Sequence, residues 1–163
     1  MDHAELRSKV VEEARSWVWT PFIHRSMVKG AGVDCAMLCY AVYSGLGLID
    51  GPAPREYVPD WFQHTGDELL LEEILRYGFV EVEREPWPAD LVIYKVAKSF
   101  AHAVIATDWP RVVEAWPSAQ YVAEIDISIE NMWSWRERKV LTLCPQSWEK
   151  IILSTYQNRT DSA

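Results

Sequence analysis

Three residues of this chain have side chains whose types and spacing could do covalent chemistry: Cys35, His102 and Glu114. A free thiol is a weak nucleophile until it becomes a thiolate, which a helix N-terminus or a neighbouring imidazolium promotes. Cys35 follows the turn-rich run Val28-Lys29-Gly30-Ala31-Gly32-Val33, with Asp34 as the expected N-cap of a helix that Cys35 begins. That position predicts a lowered thiol pKa, and the glycines would let a substrate approach the backbone. The first N–H groups of the helix would serve as oxyanion donors. His102 lies between Ala101 and Ala103 in an apolar run, where small neighbours leave room for another element. It is the candidate base. If Asp108-Trp109-Pro110 is a three-residue hairpin loop, Thr107 pairs with Arg111 and Val104 with Glu114. His102 and Glu114 then share a face on a diagonal, within reach of long side chains. A slip of one residue would move Glu114 to the other face. Each residue also has an ordinary reading: a small buried thiol, a satisfied core histidine, a strand glutamate facing water.

The elements that must position these groups follow from periodicity and punctuation. Residues 4–18 read as an amphipathic helix with Leu6, Val10, Ala14 and Trp17 on one face, capped by Asp2 with Glu5 and stopped at Thr20-Pro21. The Cys35 helix carries Leu38, Cys39, Val42 and Leu46 on its stripe and ends at Gly45 and Gly47. The run from Asp50 to Pro59 is a proline-rich loop. Thr65-Gly66-Asp67-Glu68 reads as a capping box for a helix with Leu69, Leu70, Ile74 and Leu75 inward, ending at Gly78. After Pro88 the pattern changes to strands: Leu91–Tyr94, Ala101–Thr107, Arg111–Trp116, Tyr121–Ile127 and Lys139–Leu143. Helices first and an antiparallel meander afterwards describe an α+β domain with the helices on one side of the sheet. The expected organisation is one domain over residues 1–153 and a polar tail over 154–163.

Composition narrows the class. The chain has 163 residues and a net charge of −8, which suits a single domain and disfavours non-specific nucleic-acid binding. Nine acids against three arginines between Arg55 and Glu85 read as a solvated face or a docking surface for a basic partner. The uncharged run from Cys35 to Ile49 is too short and too glycine-rich for a membrane span. The N-terminus has no apolar core, so no secretory signal is expected. Three cysteines make no disulfide framework. Cys39 reads as core. Cys35, Cys39 and His102 fall short of the four ligands of a structural zinc site, so neither a metal nor a cofactor is expected. His24 lines a cleft or a loop; His3 and His64 read as surface. Most of the nine tryptophans belong in the core, while Trp19, Trp116 and Trp133 could wall a cleft or form a docking patch.

Several segments together resemble a known family. Trp19-Thr20-Pro21-Phe22, then Lys29-Gly30-Ala31-Gly32-Val33-Asp34-Cys35 with Leu38, resemble the active-site region of the NlpC-type papain-like cysteine peptidases. The form is most similar to the branch of phage tails, prophages and gene transfer agents. Trp87-Pro88-Ala89-Asp90-Leu91-Val92 resembles the family's Pro-Gly-Asp-Leu strand start, Ala101-His102-Ala103-Val104-Ile105 its histidine strand, and Val112-Val113-Glu114-Ala115 the place of its third polar residue. The resemblance implies a papain-like, NlpC-type fold with N-terminal helices packed on an antiparallel sheet. It implies hydrolysis of peptidoglycan stem peptides, typically between γ-linked D-glutamate and a diamino acid. Cys35 would be the nucleophile, His102 the base and acid, Glu114 the orienting residue, with Asp34, Phe22, Ala36 and His24 on the substrate side. Glu114 stands where the family commonly has His. Phe22 and Ala36 replace a tyrosine and a serine, which removes two hydroxyls, and Ala89 replaces a glycine, a small steric change. Implied partners are the peptidoglycan stem peptide and phage-tail proteins, reached from the cytoplasm through a phage-like particle or lysis. Two alternatives stand beside this: a non-catalytic or weakly active tail or cell-wall binding component, and a Cys–His amidase, acyltransferase or thioesterase. The shape of the cleft separates acyl-chain from peptide substrates.

Overall fold

The structure is a computed structural model and describes residues 2–59, 63, 66–129, 133–144, 146, 148 and 149. The reading of His64 as a surface residue and the polar tail over 154–163 lie outside the described residues.

Helix α1 spans His3–Arg15, with the Asp2 carboxylate accepting the Glu5 N–H at 2.8 Å. It buries Leu6, Val10, Val11 and Ala14. It stops three residues short of the expected Val18 because the chain tightens: the Trp17 and Val18 N–H groups bond three residues back, to Ala14 and Arg15. Trp19 then takes a left-handed φ of 73°. Strands β1 (Met27–Val28) and β2 (Gly32–Val33) form a small hairpin just before α2 (Cys35–Gly45). Gly32 serves packing rather than substrate approach, for a Cβ there would lie 2.7 Å from Ile23 Cδ1 and 2.9 Å from Ser26 Oγ.

Helix α3 covers Leu69–Arg76. Glu68 sits at its N-cap without a side-chain cap bond, and its carboxylate instead accepts the Phe100 N–H at 2.7 Å. The expected capping box is therefore not what starts this helix; Thr65 itself lies outside the described residues. Its inward face also differs from expectation. Leu75 is exposed and Glu73 is buried, because Arg55 and Arg76 both pair with the Glu73 carboxylate.

The main sheet has six antiparallel strands: β3 (Phe79–Val82), β4 (Leu91–Val96), β5 (Ser99–Asp108), β6 (Arg111–Ala115), β7 (Val122–Asp126) and β8 (Arg138–Leu143). Their order is β3-β8-β4-β5-β6-β7. Strands β4 to β7 are the expected meander. The last strand instead crosses back to lie between β4 and β3, and β3 was not expected from the sequence. Helix α2 packs on β5 and β6, α1 on α2 and β5, and α3 on β3 and β5.

The β5–β6 register pairs Ile105 with Val113 and Ala106 with Val112, as the hairpin argument requires. At its tip Asp108, not Thr107, faces Arg111, so the turn is Trp109-Pro110 and Thr107 sits in an irregularity of the ladder. On the other side Tyr94 pairs with His102, and the register shifts before Lys95 pairs with Phe100, which leaves Ala101 as the extra residue next to His102.

Asp90, at the start of β4, is fully buried and ties three segments together. Arg7 from α1 and Arg84 pair with it at 3.0 and 2.6 Å, and the Trp87 N–H donates at 2.9 Å. Burial alone would raise its pKa; the bonds from Arg84, Trp87, Thr142 and Arg7 outweigh that and hold it below the usual value. Ala89 beside it has φ of 66°. Its replacement of glycine is thus a conformational matter, since L-residues pay to enter this region.

Candidate active site

The first turn of α2 is built on Asp34. Its backbone is extended, and its Oδ1 accepts the Met37 N–H at 3.0 Å, which places Cys35 as the first helical residue. The other oxygen, Oδ2, accepts the Arg25 N–H at 2.7 Å and the Tyr57 hydroxyl at 2.6 Å, with His24 Nδ1 at 3.5 Å. Asp34 is buried, and both of its oxygens are taken by groups of the protein itself.

The Cys35 thiol is half-buried, and the backbone N–H groups of Ala103, Ala36 and Cys35 itself approach the sulfur. Its pKa is nevertheless pushed up to about 12, first by burial and then by the Asp34 carboxylate next to it; the N–H groups only moderate this. The expected lowering is overturned for the resting site: the anionic cap that begins the helix also opposes a thiolate beside it. Cys39, one turn on, is buried in the core, and its pKa is raised by burial and then by Cys35 and Asp34.

His102 is fully buried on β5. Its Nε2 lies 2.9 Å from Glu114 Oε2, and Glu114 is itself buried. A carboxylate only accepts, so Nε2 donates to it, and in the neutral ring Nδ1 then presents a lone pair. Nδ1 has no hydrogen-bond partner among the described residues, so the thiol and the imidazole share no direct hydrogen bond. The ring is stacked on Trp133 at 4.3 Å and meets the edge of Trp116 at 4.7 Å. Trp116 and Trp133 therefore both pack against the His102 ring. Trp19 stands exposed elsewhere, against Tyr121.

A cavity of about 140 Å³ opens beside Cys35. Ala36, Pro54, Tyr57, Leu69, Leu70 and Ala101 make its wall mainly apolar, with Arg55, Glu56 and Glu73 among the lining groups. Of the residues expected on the substrate side, Ala36 lines this cavity. Asp34 and His24 lie behind it, joined to it through Tyr57, whose carbonyl is 3.2 Å from His24 Nε2. Phe22 does not line it; its backbone bonds Gln120 at 2.7 Å and bridges Val33. Among the described residues, no three His, Cys, Asp or Glu side chains gather as a metal cluster requires.

The fold has counterparts among solved structures. NlpC1 from Trichomonas vaginalis superposes with a TM-score of 0.63 at 12% identity, over 88% of this chain and 45% of that one. The NlpC/p60 domain of the peptidoglycan hydrolase SagA gives 0.53 at 16%, over 82% of this chain and 97% of that domain. NlpC2 from Trichomonas vaginalis gives 0.59 at 12%, over 88% and 48%. The fold is the NlpC/p60 fold. The chain spans less than half the length of the two Trichomonas proteins. No family model matches it, and no curated protein matches it in sequence.

On this NlpC/p60 fold, helix α2 brings Cys35 against β5, and the β5–β6 hairpin brings Glu114 to His102. Tyr57 was missed by sequence reasoning, and so was the salt-bridged pair of Arg55 and Glu73. All three gather at the cavity because the proline-rich loop folds back over α2, where Tyr40 and Tyr77 donate to the carbonyls of Gly51 and Pro52. No local pattern marks that loop as part of a site. No helix among the described residues is long and apolar enough to cross a membrane.

Proposed function

We propose that this chain is a cysteine peptidase that hydrolyses peptidoglycan stem peptides, with the γ-D-glutamyl–diamino acid bond as its target. The observation that carries this is the buried His102–Glu114 pair: Nδ1 of His102 is unpartnered among the described residues, and the N–H of the next residue, Ala103, approaches the Cys35 sulfur. The resting site holds a neutral thiol. Substrate entry aligns Sγ with Nδ1. As the sulfur attacks the carbonyl carbon, Nδ1 takes the thiol proton, and Glu114 stabilises the imidazolium through Nε2–H without taking the proton. The N–H groups of the first turn of α2 face the developing oxyanion. The imidazolium then gives its proton to the leaving amine. Water, deprotonated by the same Nδ1, opens the thioester and regenerates the thiol.

Association with a phage tail or prophage, and delivery to the wall by a phage-like particle or lysis, rest on the sequence resemblance around Cys35. The test is incubation with purified peptidoglycan and mass spectrometry of the fragments, wild type against Cys35→Ala. New amine termini at the diamino acid, absent with Cys35→Ala, support the reading; intact peptidoglycan in both samples overturns it.

The mainly apolar cavity favours a second reading, a Cys–His amidase or acyltransferase. It is separated by offering short acyl esters alongside peptidoglycan: turnover of the esters, with the peptidoglycan untouched, selects it.

A further inference from the structure

Tyr94 is a buried ionisable group that the mechanism above does not use. It lies on β4 directly opposite His102 on β5, and it is fully buried. Its ring packs on Trp133 at 5.2 Å, the same indole that stacks on His102. Its hydroxyl has no hydrogen-bond partner among the described residues. An unsatisfied buried hydroxyl costs free energy, and phenylalanine would give the same ring packing without that cost. Packing alone therefore does not explain a tyrosine here.

The charges that reach this phenol come from three sides. Arg138 on β8 is its other cross-strand partner, and Glu114 on β6 and Glu85 also act on it. Burial, Glu114 and Glu85 hold the proton on the oxygen against Arg138. Arg136 lies over the Trp133 ring. The phenol is thus a neutral donor buried within the field of the Glu114 carboxylate. That carboxylate uses Oε2 on His102, and no bond to its Oε1 is made among the described residues, so Oε1 can accept from a second donor.

We propose that Tyr94 is a positioning residue that acts through Glu114. Its hydroxyl turns to the carboxylate as His102 becomes positively charged, keeping Glu114 ionised and the second proton on the ring. No bond is made or broken at Tyr94. The proposal rests on the peptidase reading for its role in turnover, but not for its effect on the thiol.

The test is Tyr94→Phe with three readouts. The first is thermal unfolding, where removal of an orphan hydroxyl leaves Tm unchanged or raised. The second is peptidoglycan turnover, expected to fall fivefold or more at unchanged KM, with the acid limb of the pH profile, set by protonation of His102, moved to lower pH. The third is the rate of Cys35 alkylation by iodoacetamide from pH 6 to 9, which needs no substrate. It is expected to fall severalfold at neutral pH, because the thiolate–imidazolium pair loses support. Wild-type alkylation rates in Tyr94→Phe overturn the proposal whether or not the protein cleaves peptidoglycan. A lowered Tm with losses in proportion also overturns it, since the hydroxyl would then be structural. Slower alkylation at unchanged or higher Tm upholds it even if the wild type hydrolyses no peptidoglycan, in which case only the peptidase reading fails.

Discussion

In the proposed mechanism, Glu114 is the residue that stabilises the imidazolium. The 2.9 Å contact between the Glu114 carboxylate and Nε2 shows that it can hold the ring. Glu114→Gln keeps size and an acceptor oxygen but loses the charge that stabilises an imidazolium. Its turnover is expected to fall by about 10²-fold with little change in KM. Glu114→His is expected to retain much more. Both are read by fragment release from peptidoglycan, and turnover of Glu114→Gln within about threefold of wild type would remove Glu114 from the mechanism. The pairing of His102 with Glu114 was legible from strand register, because a period of two leaves only two faces to choose between. The state of Cys35 was not. A helix start favours a thiolate, but burial of the sulfur and then the Asp34 cap that the same start requires push the thiol the other way.

Two elements carry much of the positioning. Asp90 joins α1 to the start of β4 through Arg7 and Arg84. Replacing it by Asn leaves two partly buried guanidinium groups without their anion and is expected to cost about 3 kcal/mol. Because its pKa is lowered in the fold, this stability is present above the ordinary carboxylate value and is lost as pH falls through the lowered one. Urea unfolding at pH 7 and pH 3 checks both points: Asp90→Asn starts lower and loses less between the two. The β1–β2 hairpin sets the approach to Cys35. Gly32→Ala forces its Cβ against Ile23 and Ser26 and is expected to cost about 1–2 kcal/mol. Since Val33 and Asp34 follow directly, the same variant should alkylate at Cys35 with altered kinetics. Wild-type stability together with wild-type kinetics in Gly32→Ala would show that the contact relaxes at no cost.

At the scale of the whole molecule, burial raises a set of acids together: Cys35, Cys39, Tyr43, Tyr57 and Tyr94. For each, the unfolded chain loses its proton at the ordinary value while the folded chain keeps it. The folded state then binds more protons, so stability falls as pH rises. For Cys35 the window opens near 9 and closes near 12. Its share should amount to about 1–2 kcal/mol by roughly pH 10.5, after allowance for its partial exposure. Urea midpoints at pH 7, 9 and 10.5 should decline progressively, and Cys35→Ser should flatten the decline. An unchanged slope in that variant would mean that Cys35 ionises as freely folded as unfolded.

Local chemistry by itself determined the helix caps at Asp2 and Asp34, the glycine stop of α2, the strands from Leu91 onward and the shared face of His102 and Glu114. These depend on neighbours within a few residues or on a two-residue period, which a chain displays openly. Tertiary structure decided the rest. Strand β3 pairs with β8 some sixty residues later, and Glu73 is buried because Arg55, eighteen residues back, reaches it. Asp34 lost any free oxygen only when Tyr57 and Arg25 closed on it. Such groups meet by packing between distant segments, and no local periodicity encodes which side chain will be the one to arrive.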